Sequence, residues 1–187
     1  MILYQLNMEK TIKVHDKEFK IFIKSSEISE MVERLANDLS KDIMGKDVVF
    51  LGILNGAFIF AADLIRKINM DCYVSFIKTA SYKGTQTTGR VETLIGLGQE
   101  VRDKTVVIIE DVIDTGLTLE TVLKELERHK PAEVLVVALL FKCEACITEV
   151  KIDYLGREIP NDFVIGYGLD YNGYGRNLRD IYKITAS

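Results

Sequence analysis

The sequence is poor in the residues that mark several special classes of protein. Its 187 residues contain no Trp, two Pro and three Cys. So few prolines exclude a collagen-like or proline-rich disordered chain, and an odd cysteine count argues against a fold held together by disulfides. The longest apolar run, 134–141, is far shorter than the roughly 20 residues that cross a bilayer. We therefore expect a globular protein with its own hydrophobic core, outside the membrane.

A surplus of positive charge is also missing. The 24 Lys and Arg residues face 28 Asp and Glu residues, which gives a net charge of −4. Proteins that bind nucleic acids mainly through phosphate groups are usually basic, so nucleic acid is not expected as the main partner. Residues 1–13 lack the apolar stretch and the small-residue cleavage site of a secretory signal. The sequence therefore predicts a cytoplasmic location.

Short apolar runs alternate with helical patterns along the chain. The runs typical of strands are 47–54, 72–77, 105–109 and 134–141. Apolar residues at helical spacing occur within 28–39, 56–68 and 119–126. Continuous apolar strands separated by helices indicate a parallel sheet that is covered on both faces. No linker or repeat divides the chain, so we expect a single α/β domain.

Polar residues follow each predicted strand, where parallel sheets bind their ligands. They are Asn55 and Gly56, then 78–82, 110–118 and Lys142. The stretch 80–91 is polar, contains glycine and is long for a loop without structure of its own. We expect it to be a lid loop.

The most informative stretch combines carboxylates and hydroxyls between a strand and a helix. Its members are Glu110, Asp111, Asp114, Thr115 and Thr118. Asp114, Thr115 or Thr118 could each simply cap the helix. Capping leaves Glu110 and Asp111 unexplained, because adjacent carboxylates repel each other unless cations or hydroxyl donors offset the charge. A polyhydroxyl ligand or Mg²⁺ nearby would do so.

Residues 115–118 could hold a phosphate. At a helix N-terminus their backbone N–H groups and hydroxyls can point at one anion. A molecule with a phosphate at one end and vicinal hydroxyls near the carboxylates is a sugar phosphate, for which ribose 5-phosphate has the right form. The sequence has no P-loop, and Gly96 and Gly98 lack the third glycine of a dinucleotide site.

Two segments resemble a known family. Residues 106–119, VVIIEDVIDTGLTL, resemble the phosphoribosyl pyrophosphate motif of the type I phosphoribosyltransferases. Residues 163–176, FVIGYGLDYNGYGR, with Lys142 upstream, resemble the purine-site region of the hypoxanthine-guanine phosphoribosyltransferases. The similarity runs from about residue 28 to residue 184.

The resemblance implies an architecture and a reaction. The architecture is a single type I phosphoribosyltransferase domain over 1–187. It has a mobile lid near 80–92, a small hood made of the terminal segments, and purine-binding residues in that hood near 142–180. The reaction moves the phosphoribosyl group of phosphoribosyl pyrophosphate to N9 of hypoxanthine or guanine. It gives IMP or GMP and pyrophosphate and requires Mg²⁺. The family habit is a homodimer or homotetramer, and no nucleic acid or membrane partner is expected.

The resemblance also implies catalytic and metal-binding roles. Asp114 matches the carboxylate near purine N7 that acts as general acid and base. Lys142 matches the donor to the exocyclic O6, which selects oxopurines over adenine. Glu110 and Asp111 match the pair beside the ribose hydroxyls, and both are expected to contact Mg²⁺ together with Asp170.

The remaining matched residues bind substrate. The 5′-phosphate loop corresponds to Thr115, Gly116, Leu117 and Thr118. The pyrophosphate loop, in which some members hold a cis peptide, corresponds to Leu54, Asn55 and Gly56. The lid, purine-stacking, base-edge and pyrophosphate contacts correspond to Ser81 and Tyr82, Phe163, Val164 and Arg176. Many relatives carry Lys at position 55 and some at position 117, so backbone donors and Mg²⁺ would have to replace those charges here.

Two alternatives to this function remain open at the level of sequence. One is a xanthine-preferring enzyme, since one or two contacts at purine C2 decide that preference. The other is a non-catalytic regulator with the same fold that binds nucleotide and RNA, against which the acidic composition argues. Cys143 and Cys146 have C-x-x-C spacing, but too few further ligands accompany them for a zinc site.

Overall fold

The residues that the structure describes form two β-sheets and three helices. The computed structural model describes residues 11–81, 91–95 and 100–185. The helices are α1 (Ser25–Ile43), α2 (Phe58–Ile65) and α3 (Leu117–Arg128). The strands are β1 (Thr11–Val14), β2 (Lys17–Ile23), β3 (Val48–Leu54), β4 (Tyr73–Ser81), β5 (Val91–Ile95), β6 (Thr105–Ile113), β7 (Glu133–Phe141), β8 (Tyr154–Glu158), β9 (Val164–Ile165) and β10 (Ile181–Ile184).

The larger sheet has the strand order β5-β4-β3-β6-β7-β8. The pairs from β4 across to β8 are parallel, and only β5 runs antiparallel, at the edge. Almost every residue of β3 and β6 is buried, because helices cover both faces of the sheet. The predicted α/β class, with a mainly parallel sheet, is confirmed.

The two faces of this sheet pack against different helices. Helices α1 and α2 lie on one face and share one hydrophobic cluster. Helix α3 lies on the other face and belongs to a second cluster. The apolar stripe of α1 is buried as its spacing predicts: Ile28, Met31, Val32, Leu35 and Leu39. The helices are thereby held by burial of their apolar stripes, which is the main source of helix stability in proteins.

The helix ends differ in part from the sequence prediction. Helix α2 ends at Ile65 rather than at residue 68, because the N–H groups of Lys67 and Ile68 bond to carbonyls only three residues back. The N-cap of α3 is Gly116, with φ 83°, so none of the candidates Asp114, Thr115 and Thr118 is the N-cap residue. The hydroxyl of Thr115 nevertheless accepts a long hydrogen bond, 3.5 Å, from the N–H of Leu117. A glycine takes this left-handed conformation without the clash that a side chain would add.

Two predicted loop regions belong to strands. Strand β6 continues through Glu110 and Asp111, because its pairing with β7 extends to Ile113 opposite Phe141. The predicted loop 80–91 begins later, because β4 runs to Ser81 and pairs with β5 up to Ser81 opposite Val91. The residues between them, 82–90, lie outside the described part of the chain.

The second sheet is antiparallel and has the order β1-β2-β10-β9. Its strands come from both ends of the chain, as the prediction of a hood formed by terminal segments requires. We use the word hood for this sheet together with the turns at 166–178. Among the described residues, no helix is both long and apolar enough to cross a membrane.

Candidate active site

Three neighbouring parallel strands place their following loops side by side. Strands β3, β6 and β7 are adjacent in the sheet. They end at Leu54, Ile113 and Phe141. The loops 55–57, 114–116 and 142–148 therefore meet at one edge, where ligands bind in sheets of this kind.

The loop 114–116 is supported from behind by the segment 142–148. The N–H of Ile147 donates to the carbonyl of Thr115 at 3.1 Å. A Cβ at Gly116 would lie only 1.9 Å from Thr148 Oγ1 and 3.2 Å from Cys146 Sγ, so glycine is the residue that allows this contact. Sequence reasoning missed the supporting role of Cys146 and Thr148, because their spacing does not tell which loop they face.

A small cleft lies between this loop and the start of α3. Its volume is about 70 Å³, and its lining includes Glu110, Asp114, Thr115, Gly116 and Thr118. The first N–H groups of a helix have no partner within the helix and carry a partial positive charge. The cleft therefore has the size and donors for a small anion such as a phosphate group.

Lys142 is buried beside Asp114. Its side chain is 7% exposed, and Nζ lies 2.9 Å from Asp114 Oδ2, whose side chain is 49% exposed. A lysine is rarely buried without a partner, so the interpretation of Lys142 as an ordinary surface residue was wrong. The pair presents a hydrogen-bond donor and a proton acceptor at the ends of neighbouring strands.

Glu110 and Asp111 face opposite sides of the sheet, as consecutive residues of a strand do. Glu110 lines the small cleft, whereas the Asp111 carboxylate lies against Gly56, where an added Cβ would meet Asp111 Oδ2 at 1.9 Å. Both are buried. Glu110 Oε2 has no hydrogen-bond partner among the residues that the structure describes.

Burial changes the proton affinity of both carboxylates. It raises the pKa of Glu110 well above its ordinary value, and the neighbouring charge of Asp111 raises it further. Burial raises the pKa of Asp111 to about 6, although two backbone N–H groups and Arg176 act in the opposite direction. Both groups are therefore costly to ionise until a positive charge or hydrogen-bond donors reach them.

The predicted pyrophosphate loop lies under the hood. The Leu54–Asn55 peptide is cis, as in some members of the family that the sequence resembles. A Cβ at Gly168 of the hood would be 2.1 Å from the carbonyl oxygen of Gly56. The two loops are therefore in close backbone contact.

Asp170 and Arg176 form an ion pair in the hood. Arg176 Nη2 lies 2.6 Å from Asp170 Oδ1, and both side chains are partly buried. Arg176 Nη1 also donates to the carbonyl of Gly168 at 2.6 Å. The pair is close enough to Asp111 to affect its pKa, which Arg176 lowers and Asp170 raises. It thus lies at the site and not on a remote surface.

The residues predicted to contact the purine, Phe163 and Val164, lie at the edge of the hood. Phe163 is 44% exposed, so it is not simply part of the core. Phe19 and Tyr171 flank its ring at centroid distances of 6.4 and 5.7 Å. Val164 is buried in β9. Ser81 ends β4, and Tyr82 lies outside the described residues.

The donor chemistry of the site fits Mg²⁺. No group of three or more His, Cys, Asp or Glu among the described residues is arranged to hold a metal without help. Mg²⁺ does not require such a group, because it commonly binds through one or two carboxylates together with water and substrate phosphates. Asp111 and the unpartnered oxygen of Glu110 provide buried carboxylates that gain from a nearby cation.

A larger cleft lies elsewhere in the structure. It has a volume of about 620 Å³ and lies between α1, α2 and the hood. By size alone, this cleft would be the first candidate for a ligand-binding site. The strand-end site is the better candidate because it combines a buried lysine, two buried carboxylates and a helix N-terminus at the carboxyl edge of the sheet.

Comparisons with known proteins agree on one family. The profile described as "Phosphoribosyl transferase domain" matches residues 23–172. The hypoxanthine-guanine phosphoribosyltransferase of Lactococcus lactis is 40% identical over 177 residues, which cover 94% of this chain and 93% of that protein. The enzyme of the same name from Aquifex aeolicus is 33% identical over 174 residues, with 92% and 98% covered. A crystal structure of a hypoxanthine phosphoribosyltransferase from Staphylococcus aureus matches with TM-score 0.84 and 35% identity, covering 89% of this chain and 91% of that one.

The buried charge of Glu110 should make stability depend on pH. Because the native pKa of Glu110 is raised, the folded protein binds the proton of this carboxyl more tightly than the unfolded chain does. The stability that this gives is fully present below the unfolded-state pKa of Glu110 and is lost as the pH rises through its native pKa. In Glu110→Gln this charge is absent. With a chelator present, we expect a Tm at pH 8 that exceeds that of the wild type by about 2–4 °C, and a difference that shrinks towards pH 4. Differential scanning fluorimetry measures both.

The exposed Glu30 of α1 provides the control. Glu30→Gln should leave Tm unchanged at either pH. A Glu110→Gln protein with a Tm at or below that of the wild type at pH 8 would contradict the assignment of an uncompensated buried charge.

Proposed function

The chain belongs to the phosphoribosyltransferase family, and we propose that it moves the phosphoribosyl group of phosphoribosyl pyrophosphate to N9 of hypoxanthine or guanine. The products are IMP or GMP and pyrophosphate. The relatives named above support the purine bases and the role in purine salvage. The observation that carries the proposal is the buried Lys142, which is paired with Asp114 beside the small cleft at the start of α3.

The proposed position of the ribose phosphate follows from the two faces of β6. The 5′-phosphate occupies the cleft at the start of α3, held by backbone N–H groups of Thr115, Gly116, Leu117 and Thr118 and by the two threonine hydroxyls. The ribose hydroxyls then lie near Glu110 and Asp111. Hydroxyl groups that donate to these carboxylates would offset part of the cost of ionising them.

The purine is recognised through its 6-oxo group. An ammonium group has three N–H donors and no acceptor, so Lys142 can hold Asp114 and still donate to O6. The amino group of adenine would offer a donor to a donor at that position, which favours oxopurines. Asp114 is proposed to exchange a proton at N7, as a general acid and base, while Phe163 stacks on the ring and the backbone of Val164 reads its edge.

The diphosphate is proposed to lie between the 54–56 loop and the hood. Leu54, Asn55 and Gly56 offer it backbone donors, and Arg176 offers a guanidinium group, which suits phosphate oxygens. Asp111 and Asp170 would hold Mg²⁺ on this side of the sheet, and Glu110, the third predicted metal contact, would act from the side of the small cleft. When bound, this ion supplies positive charge that stabilises the departing pyrophosphate. Because Asn55 and Leu117 bring no charge, Arg176 and the metal are the proposed cationic groups here.

We also propose that residues 1–187 act as one domain with a lid near 80–92 that includes Ser81 and Tyr82. Strands β4 and β5 lead into and out of this segment at one edge of the sheet. Closure would exclude water from an oxocarbenium-like transition state. The proposed purine-binding segment, 142–180, contributes β9 and the turns at 166–178 to the hood, whereas β8 within it belongs to the larger sheet. The homodimer or homotetramer and the cytoplasmic location stay predictions.

The relatives do not favour either alternative function. All three proteins named above are called hypoxanthine or hypoxanthine-guanine enzymes, and none is called a xanthine enzyme or a regulator. The buried Lys142 and its partner Asp114 are also more than a nucleotide-binding scaffold needs. Catalysis with a 6-oxopurine is therefore the function that the site supports best.

The decisive experiment is an assay of the purified protein with phosphoribosyl pyrophosphate and Mg²⁺. Hypoxanthine, guanine, xanthine and adenine are supplied separately, and the nucleotides are resolved by chromatography. We expect IMP and GMP, and no product after EDTA is added. Product from xanthine alone would show that xanthine is the base. No product from any base would favour the non-catalytic regulator that binds nucleotide and RNA.

Replacement of Asp114 tests the proton-transfer role. Asp114→Asn keeps an oxygen that can accept a hydrogen bond from Lys142 but does not act as a base. We expect kcat to fall on the order of 10²-fold, with unchanged circular dichroism. Asp38→Asn, at an exposed ion pair of α1, is the control and should keep wild-type kcat. Full turnover in Asp114→Asn would refute the role.

Replacement of Lys142 tests the recognition of O6. In Lys142→Gln the side-chain amide can turn its carbonyl towards the amino group of adenine. We expect the ratio of kcat/KM for hypoxanthine over adenine to fall by at least about tenfold. Lys124→Gln, which removes an exposed ion pair on α3, should leave the ratio unchanged. An unaltered ratio in Lys142→Gln would show that this lysine does not contact O6.

A further inference from the structure

The turn of the hood that contacts Gly56 has an unusual backbone. Gly166, Tyr167 and Gly168 have φ values of 102°, 50° and 103°. A Cβ at Gly166 would lie 2.1 Å from the carbonyl oxygen of Asp180, and one at Gly168 would lie 2.1 Å from that of Gly56. Glycine adopts such angles freely, but a tyrosine does so at a cost and needs contacts that hold it there.

Those contacts come from both the backbone and the side chain of Tyr167. Its N–H donates to the carbonyl of Leu178 at 2.8 Å. Its ring is buried, and its hydroxyl donates to Asp63 Oδ2 at 2.8 Å. Burial and the Asp63 carboxylate raise the pKa of Tyr167 well above its ordinary value, so the hydroxyl stays a donor at physiological pH.

The hydrogen bond joins the hood to the helix that follows the pyrophosphate loop. Asp63 lies on α2, which begins at Phe58, two residues after Gly56. Gly168, next to Tyr167 in the chain, contacts the Gly56 carbonyl and accepts a hydrogen bond from Arg176. Tyr167, which is not assigned a contact with either substrate, thus joins the 166–168 turn to α2. Both are next to groups that are proposed to hold the diphosphate, Arg176 and Gly56.

We propose that Tyr167 is a positioning residue for the diphosphate end of phosphoribosyl pyrophosphate, acting through its hydrogen bond to Asp63. The bond holds the 166–168 turn against Gly56 and so sets the distance between the pyrophosphate loop and Arg176. This role rests on the proposed function. It differs from a purely structural role because it predicts an effect on one substrate and not on the other.

Removal of the hydroxyl gives the direct test. Tyr167→Phe keeps the ring, and the fold should persist because Asp63, whose side chain is 42% exposed, can bind water instead. We expect KM for phosphoribosyl pyrophosphate to rise about 3- to 10-fold, the range that corresponds to one lost hydrogen bond. We expect kcat and KM for hypoxanthine to stay within about twofold.

The chain offers a matched control in Tyr154. Its hydroxyl also donates to an aspartate, Asp42, and thereby joins β8 to α1, away from the strand-end loops. Tyr154→Phe should leave both KM values unchanged. At the other end of the bond, Asp63→Asn keeps an oxygen acceptor and should retain most of the wild-type affinity, whereas Asp63→Leu should behave like Tyr167→Phe.

Hydrogen–deuterium exchange separates this inference from the proposed function, because it needs no substrate. The amides of residues 167 and 168 donate to the carbonyls of Leu178 and Arg176, so their exchange reports on the turn. We expect faster exchange at both in Tyr167→Phe and not in Tyr154→Phe.

Each combination of results supports or overturns the proposal. Faster exchange together with a raised KM for phosphoribosyl pyrophosphate supports it. Faster exchange with unchanged KM, or equal rises in both KM values, shows a structural role only and overturns it. Unchanged exchange overturns the coupling itself. A wild type that forms no nucleotide would overturn the proposed function and the positioning role together, while exchange would still show whether the bond holds the turn.

Discussion

The continuation of β6 through Glu110 and Asp111 is the constraint on which the site depends. Backbone pairing with β7 extends to the end of β6, so both carboxylates are fixed in a buried strand. Strand geometry then directs one to each side of the sheet. Glu110 lines the small cleft at the start of α3, and Asp111 lies against Gly56. The raised pKa values of this pair are the direct cost of that placement, which a ligand with donors and cations would offset.

Two glycine contacts hold the neighbouring loops around this pair. Gly116 lets the segment 142–148 approach the loop 114–116, and Gly168 lets the hood approach Gly56. In each case a side chain at the glycine would collide with the supporting element. Burial of apolar side chains holds the sheet and helices together, but the spacing of the site loops is set by these close contacts between main-chain and polar groups.

Much of this arrangement could be predicted from the sequence, because the strongest signals are local. Continuous apolar runs gave β3, β6 and β7, and the polar residues after them indicated the edge of the sheet where the site lies. Prediction failed where tertiary pairing outweighs local composition. Glu110 and Asp111 look like loop residues but stay in a strand because β7 supplies their backbone partners. Gly116 replaced the polar capping candidates because the loop needs a left-handed residue there. The bond from Tyr167 to Asp63 joins residues 104 positions apart, and neither residue type nor spacing signals such a pair.

The two sides of the site are held by interactions of different range, and this difference has a consequence for function. The loop 114–116 is tied to the segment 142–148, which follows the next strand of the same sheet. The backbone N–H of Ile147 and the hydroxyl of Thr148 both donate to the Thr115 carbonyl. The proposed diphosphate side includes the hood, a separate sheet made from both chain ends, and the turn of the hood is joined to α2 by the bond from Tyr167 to Asp63. A single side-chain bond of this kind can open without unfolding either of the elements that it joins. Apolar side chains of the hood such as Val164, Leu169 and Ile181 also pack into the main core. Loss of the bond should therefore loosen the 166–168 turn, on the proposed diphosphate side, without detaching the hood.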